Sequence, residues 1–190
     1  MIYQKFLKSN SIYFIWDNFL KHKDIGDDEL RVLDIAAGCG LAGKYMRDIS
    51  SPKSINGLGT LESARISCLR DYPKIYDDYY VLNLRDIKSD EKTLLKEKMF
   101  NCINIVSASG GSDDFEYHYV ELQEYEIILE LIIPRGYVIL NVREIELKGQ
   151  IEIKKLLGKH CNLINESPYT HRQLLNGNAI AHKVLVYKVL

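Results

Sequence analysis

Short apolar runs alternate with helical stretches down most of this chain, and that alternation restricts the fold more than any other feature. Arg31 to Ile35 reads as a buried strand, and Leu41 to Ile49 follows as a helix that Ser50-Ser51-Pro52 brings to an end. The pattern returns with a strand over Ser54 to Leu58 and a helix over Leu61 to Arg70. It returns again with Tyr79 to Leu84 and a charged helix around Glu91 to Lys98. Asn101 to Ala108 gives a fourth strand and Tyr119 to Ile133 a helix; Pro134-Arg135-Gly136 then turns the chain into a fifth strand, Tyr137 to Val142. Strands separated by helices pair in parallel through right-handed crossovers, so a doubly wound α/β sheet with helices on both faces is expected. After a helix near Ile151 to Leu157 the rhythm breaks. Two β-like runs, Asn162 to Glu166 and Lys183 to Val189, flank a polar segment holding the turn signal Asn176-Gly177-Asn178. An antiparallel hairpin at the sheet edge follows, for seven strands in all.

The 190 residues suit one domain, 1–190, with 1–27 as an N-terminal helical cap and 28–190 as the core. The cap carries Tyr3, Phe6, Leu7, Tyr13, Phe14, Trp16, Phe19 and Leu20 at roughly helical spacing. A formal net charge of −1 gives no general attraction to nucleic acid. No 18-residue apolar run is present, so no membrane span is expected. Lys5 and Lys8 precede the apolar run Ile12 to Trp16, but Asp17 and Asn18 interrupt it and no small-residue cleavage site follows. The cysteines Cys39, Cys68, Cys102 and Cys161 are widely spaced and form no C-x-x-C pair. They read as reduced thiols of a cytoplasmic protein, and His160-Cys161 alone makes no metal site.

The stretch VLDIAAGCGLAG joins the first strand to its helix. Gly38-Cys39-Gly40-Leu41-Ala42-Gly43 fits G-x-G-x-x-G, the pattern of a tight turn that lets backbone approach a ligand at a helix N-terminus. A pyrophosphate and a carboxylate beside an adenosine both suit such a turn, and a purely structural turn also has this form. Asp34, at the strand tip, separates the ligands. A carboxylate there serves a pyrophosphate poorly and serves a ligand carrying ammonium and sulfonium groups well. S-adenosylmethionine carries both, so Asp34 favours it over NAD.

With these residues the sequence resembles class I S-adenosylmethionine-dependent methyltransferases. The nearer likeness is to the small methyltransferases of the Williams–Beuren syndrome region type. Asp34, Ala36, Gly38 and Gly40 fall on the first motif, with Ala36 in place of its first glycine. GLAGKYM, INGLGTLESA, KIYDDYYVLNL and PRGYVILNVRE stand in that family's order, and HKVLVYKVL is similar to its last strand. The resemblance implies a Rossmann-like sheet of order 3-2-1-4-5-7-6 with the last strand antiparallel. It implies cofactor contacts at Asp34, Ala36, Gly38, Cys39 and Gly40 in the first motif. Further contacts are implied at Gly59, Thr60, Asn83, Leu84 and Ser107.

Three acids of the family pattern are replaced. Gly59 stands where an acid grips the ribose hydroxyls, Asn83 where an aspartate meets the adenine amino group, and Asn101 in a pair normally ending in Asp. The Thr60 hydroxyl and Glu62 are available to compensate, and the Asn83 amide can still accept from an adenine amino group. Returning an acid to position 59 is expected to tighten cofactor binding.

Methyl transfer from a sulfonium needs alignment and exclusion of water more than a catalytic signature. The substrate is expected over the loop after the fourth strand, at Ser109, with His118 as general base if the nucleophile must lose a proton. Asp113 and Asp114 read as capping residues and Gly110-Gly111 as a turn. Tyr13 and Trp16 read either as a lid wall or as core packing, and Tyr169 and His171 as pocket lining or exposed loop. The leading expectation is a methyltransferase for a small-molecule substrate, with a small cap that leaves room for a homodimer to complete the pocket. The alternatives are the same fold repurposed as a cyclase or lyase or catalytically silent, an NAD(P)-linked oxidoreductase, and a scaffold without cofactor.

Overall fold

A computed structural model of the chain describes residues 12–105, 122–143, 147–172 and 179–190. Seven strands form one sheet: β1 Arg31–Ile35, β2 Ser54–Gly59, β3 Asp78–Val81, β4 Phe100–Ile105, β5 Ile132–Arg143, β6 Cys161–Arg172 and β7 Ala179–Val189. Their order is β3-β2-β1-β4-β5-β7-β6, with β7 antiparallel to both neighbours and the other pairings parallel. The helices are α1 over 12–20, α2 Leu41–Ile49, α3 Glu62–Asp71, α4 Ser89–Glu97, α5 Leu122–Leu131 and α6 Leu147–His160.

Strand parity builds two apolar layers. Leu33, Leu58, Ile103, Val138 and Leu185 point to one face, where Leu95 of α4, Ile128 of α5 and Leu157 of α6 cover them. Val32, Ile55, Cys102, Ile139 and Val186 point to the other, beneath Ile15, Trp16 and Phe19 of α1, Met46 of α2 and Cys68 of α3. Trp16 is core, 1% exposed, and its indole N–H donates to Ser50 Oγ at 2.9 Å. Asn18 Nδ2 donates to Ser167 Oγ at 2.9 Å, so α1 bridges the end of α2 and strand β6. No helix among the described residues is long and apolar enough to cross a membrane.

Three elements differ from the sequence expectation. The third strand ends at Val81 rather than Leu84, because Asn83 Oδ1 accepts from the Arg85 amide and folds Leu84–Asp86 into a 3₁₀ turn. Pro134-Arg135-Gly136 does not precede β5 but lies within it. Phe100 pairs with Ile132 and Cys102 with Tyr137, so the turn is a bulge with Arg135 at φ +64°. The closing hairpin is also longer than its apolar runs, since β6 and β7 pair from Cys161–Val189 to Arg172–Ala179. An antiparallel neighbour satisfies the backbone of polar residues as well as apolar ones. Pro168 fits because β6 is an edge strand whose outer side needs no donor.

Candidate functional site

The turn after β1 stands over the carboxyl ends of the parallel strands, and its conformation explains its composition. Ala36, Gly38 and Gly40 all have positive φ, of +60°, +54° and +87°. Gly40 caps α2 in the left-handed region, and a Cβ on it would drive into Cys68 Sγ. Gly43 lets α2 close on the loop before β3, where a Cβ would lie 2.6 Å from the Tyr76 ring. Ala36 and Cys39 are exposed and Gly38 is partly so, leaving the upper side of the turn open.

Asp34 lies beneath this turn, 1% exposed. Tyr76 donates its hydroxyl proton to Asp34 Oδ2 at 2.5 Å and accepts from the Gly43 amide at 3.3 Å. Asn104 Nδ2 donates to Asp34 Oδ1 at 2.7 Å. Burial pushes the Asp34 carboxyl up to about 6, and the two donors hold it down against that effect. Asn104 Oδ1 is buried with no hydrogen-bond partner among the described residues.

Tyr79 closes the side toward β2. Its hydroxyl donates to the Gly38 carbonyl at 2.8 Å, and its ring packs edge-on against Tyr76 with centroids 5.6 Å apart. Gly57 and Gly59 lie below, where a Cβ would come within 3.0 Å of the Tyr79 ring and 2.7 Å of its hydroxyl respectively. Position 59 is therefore not a vacancy awaiting an acid, as the sequence suggested; Tyr79 already fills that volume.

The remaining expected positions fall in several environments. Thr60 is exposed just beyond β2, and the Glu62 carboxylate is held by Arg65 at 2.9 and 3.1 Å. Asn83 spends both ends of its amide locally, on the Arg85 amide and the Asp86 carboxylate. The Leu84 side chain is core. Asn101 clamps the opposite end of the sheet, accepting from the Arg31 amide and donating to the Glu29 carbonyl. Tyr13 packs its ring at a tilt against Tyr45 and donates to Asp48, both on α2. His171 lies opposite Ile180 in the hairpin ladder. Ser107, Ser109 and His118 fall outside the described residues, as do Gly110, Gly111, Asp113 and Asp114.

A second polar group lines the same face farther along the sheet. Tyr169 of β6 donates to Asn141 Oδ1 of β5 at 2.8 Å and stacks on His182 of β7 at 5.2 Å, with Phe14 of α1 at 5.3 Å. Asn141 and His182 are buried. Among the described residues no three of His, Cys, Asp and Glu could hold a metal ion.

Sequence reasoning missed Tyr76, Tyr79, Asn104, Asn141 and His182. Parity was the available signal for three of them: Asn104, Asn141 and His182 are polar residues at inward positions of apolar strands. The tyrosines had a weaker signal, two aromatic residues beside a strand that carries two glycines on one face.

In sequence the chain matches no protein-family model and no curated protein. In structure it is similar to a proposed RNA methyltransferase from Pyrococcus horikoshii, with a TM-score of 0.69 and 10% identity over 95% of this chain and 85% of that one. It is similar to TYW2 from M. jannaschii, solved with AdoMet, at TM-score 0.61 and 13% identity over 98% and 77%. It is also similar to the N-methyltransferase NodS from Bradyrhizobium japonicum, at TM-score 0.64 and 9% identity over 96% of both chains. The fold is thus the seven-strand sheet found in S-adenosylmethionine-dependent methyltransferases.

Proposed function

We propose that this chain is an S-adenosylmethionine-dependent methyltransferase with a small-molecule substrate. The observation that carries the reading is the carboxyl group of Asp34 under the open glycine turn. With a pKa of about 6 it is mostly ionised at neutral pH in spite of full burial. Tyr76 and Asn104 solvate the buried charge as neutral donors, and a cation resting on the turn above would balance it. Nucleotide ligands of doubly wound sheets bind at this same place, outside the carboxyl ends of β1 and β4. The residues present fit the cofactor: Ala36, Gly38 and Cys39 offer an exposed backbone turn, and Asp34 supplies the opposite charge. When bound, the cofactor supplies an activated methyl group. The chain's residues then have to hold its ammonium end over the turn and exclude water. His118 takes the proton where the nucleophile must lose one.

The small substrate is supported by the net charge of −1, which offers nucleic acid no attraction, and by the aromatic and polar group of Phe14, Asn141, Tyr169 and His182.

Calorimetric titration of ligand-free protein with S-adenosylmethionine, S-adenosylhomocysteine and NAD tests the reading. The first two should bind with dissociation constants between about 1 µM and 1 mM, and NAD should give no heat. NAD binding, or no binding of the first two, would sink it.

A further inference from the structure

We propose that Tyr79 is the group that meets the cofactor's ribose, a role that rests on the methyltransferase reading above. In doubly wound nucleotide-binding sheets the ribose lies at the carboxyl end of the second strand. Here that strand ends Gly57-Leu58-Gly59, and on the face it shares with Asp34 the two glycines present no side chain. Tyr79 comes from the neighbouring strand, paired with Gly57, and lays its ring across both glycines. Its oxygen ends between two pieces of backbone, the Gly38 carbonyl and Gly59.

The hydrogen-bond polarity is the decisive point. A phenol has one proton and two acceptor sites. The proton is committed to Gly38, and no described residue donates to the Tyr79 oxygen. What the oxygen has left to offer is an acceptor, the polarity a carboxylate at position 59 would offer to a sugar hydroxyl, without the charge. Burial raises the Tyr79 pKa well above its ordinary value, so the group stays neutral at physiological pH. The glycines at 57 and 59 are then explained together: each clears the path by which Tyr79 reaches across.

The test is titration of wild type and Tyr79→Phe with S-adenosylhomocysteine and with its 2′,3′-dideoxy analogue. Phenylalanine keeps the ring over the glycines and removes only the oxygen. Tyr79→Phe should bind S-adenosylhomocysteine between about threefold and tenfold more weakly, and the dideoxy analogue as wild type does. Equal loss toward both ligands, or none, overturns the ribose role but leaves the methyltransferase reading intact, because wild type still binds. If wild type binds neither ligand, that reading falls and the ribose role with it. Gly59→Asp gives a second arm. It should weaken binding while the Tyr79 hydroxyl is present and strengthen it in the Tyr79→Phe background, where the nearest ring atom is 3.5 Å from the new Cβ. Tighter binding by Gly59→Asp with Tyr79 in place would overturn the proposal.

Discussion

Asp34 holds a carboxyl group where ionisation is unfavourable, and the sign of its effect on stability follows. Its pKa is about 6 in the folded chain against an ordinary 3.8. Between those values the unfolded chain has released its proton while the folded chain keeps it. Stability from this group is therefore greatest below pH 3.8, falls as pH rises to about 6, and is level above that, a change of about 3 kcal/mol. Urea unfolding from pH 4 to 7.5 should show this decline, and Asp34→Asn should abolish that part of the slope. A slope unchanged by the substitution would mean that Asp34 is not the titrating group. The carboxylate itself was legible in the sequence as an acid at a strand tip. Its partners were not, because Tyr76 is 42 residues away and Asn104 is 70. Nothing local to VLDIAAGCGLAG announces a tyrosine reaching under it. Position 59 shows the same limit: the missing acid was visible, and the side chain filling its volume belongs to another strand.

At the scale of elements, the same substitution should have opposite effects in two helices. Gly43 in α2 faces Tyr76 and Ile75, and a Cβ there would come within 2.7 Å of both. Gly158 in α6 has nothing within 4 Å. Gly43→Ala should cost about 1–3 kcal/mol through overpacking, and Gly158→Ala should add about 0.5–1 kcal/mol by restricting the unfolded chain. Urea midpoints decide both, and matching signs would refute the packing account. The interior strands could be read from sequence because burial on both faces makes them short apolar runs, as in Val32 to Ile35. The β6–β7 hairpin could be placed but not measured. Its polar half, with Ser167, Pro168 and Tyr169, is extended by pairing with β7 rather than by its own propensity. The bulge at Pro134-Arg135-Gly136 was visible as a turn, but only the pairing of Ile132 with Phe100 puts it inside a strand.

At the scale of the whole molecule, one acid ties distant segments together. Asp24, in the connector after α1, accepts from the Tyr137 hydroxyl on β5 and from the Lys188 ammonium on β7, and its backbone amide donates to Tyr137 at 3.0 Å. Lys188 first and Tyr137 next pull its pKa from 3.8 down to about 2. This contribution is present above pH 3.8 and is lost as pH falls toward 2, the reverse of Asp34. Asp24→Asn should lower the melting temperature at pH 7 and lower it much less at pH 2, where the carboxyl is about half protonated in the folded chain and largely so in the unfolded one; an equal drop at both would mean that the carboxylate charge is not what holds the connector. The position of β7 carries a further consequence. It is the latest of the seven strands in sequence, yet it lies between β5 and β6 rather than at a border. A chain emerging from a ribosome exposes the flank of β5 until β7 has been made, and only then does β6 gain a neighbour. Folding must therefore wait for the C-terminal strand, through contacts of long sequence separation that form slowly. The unpaired flank of β5 is the surface that chaperones would meet during synthesis.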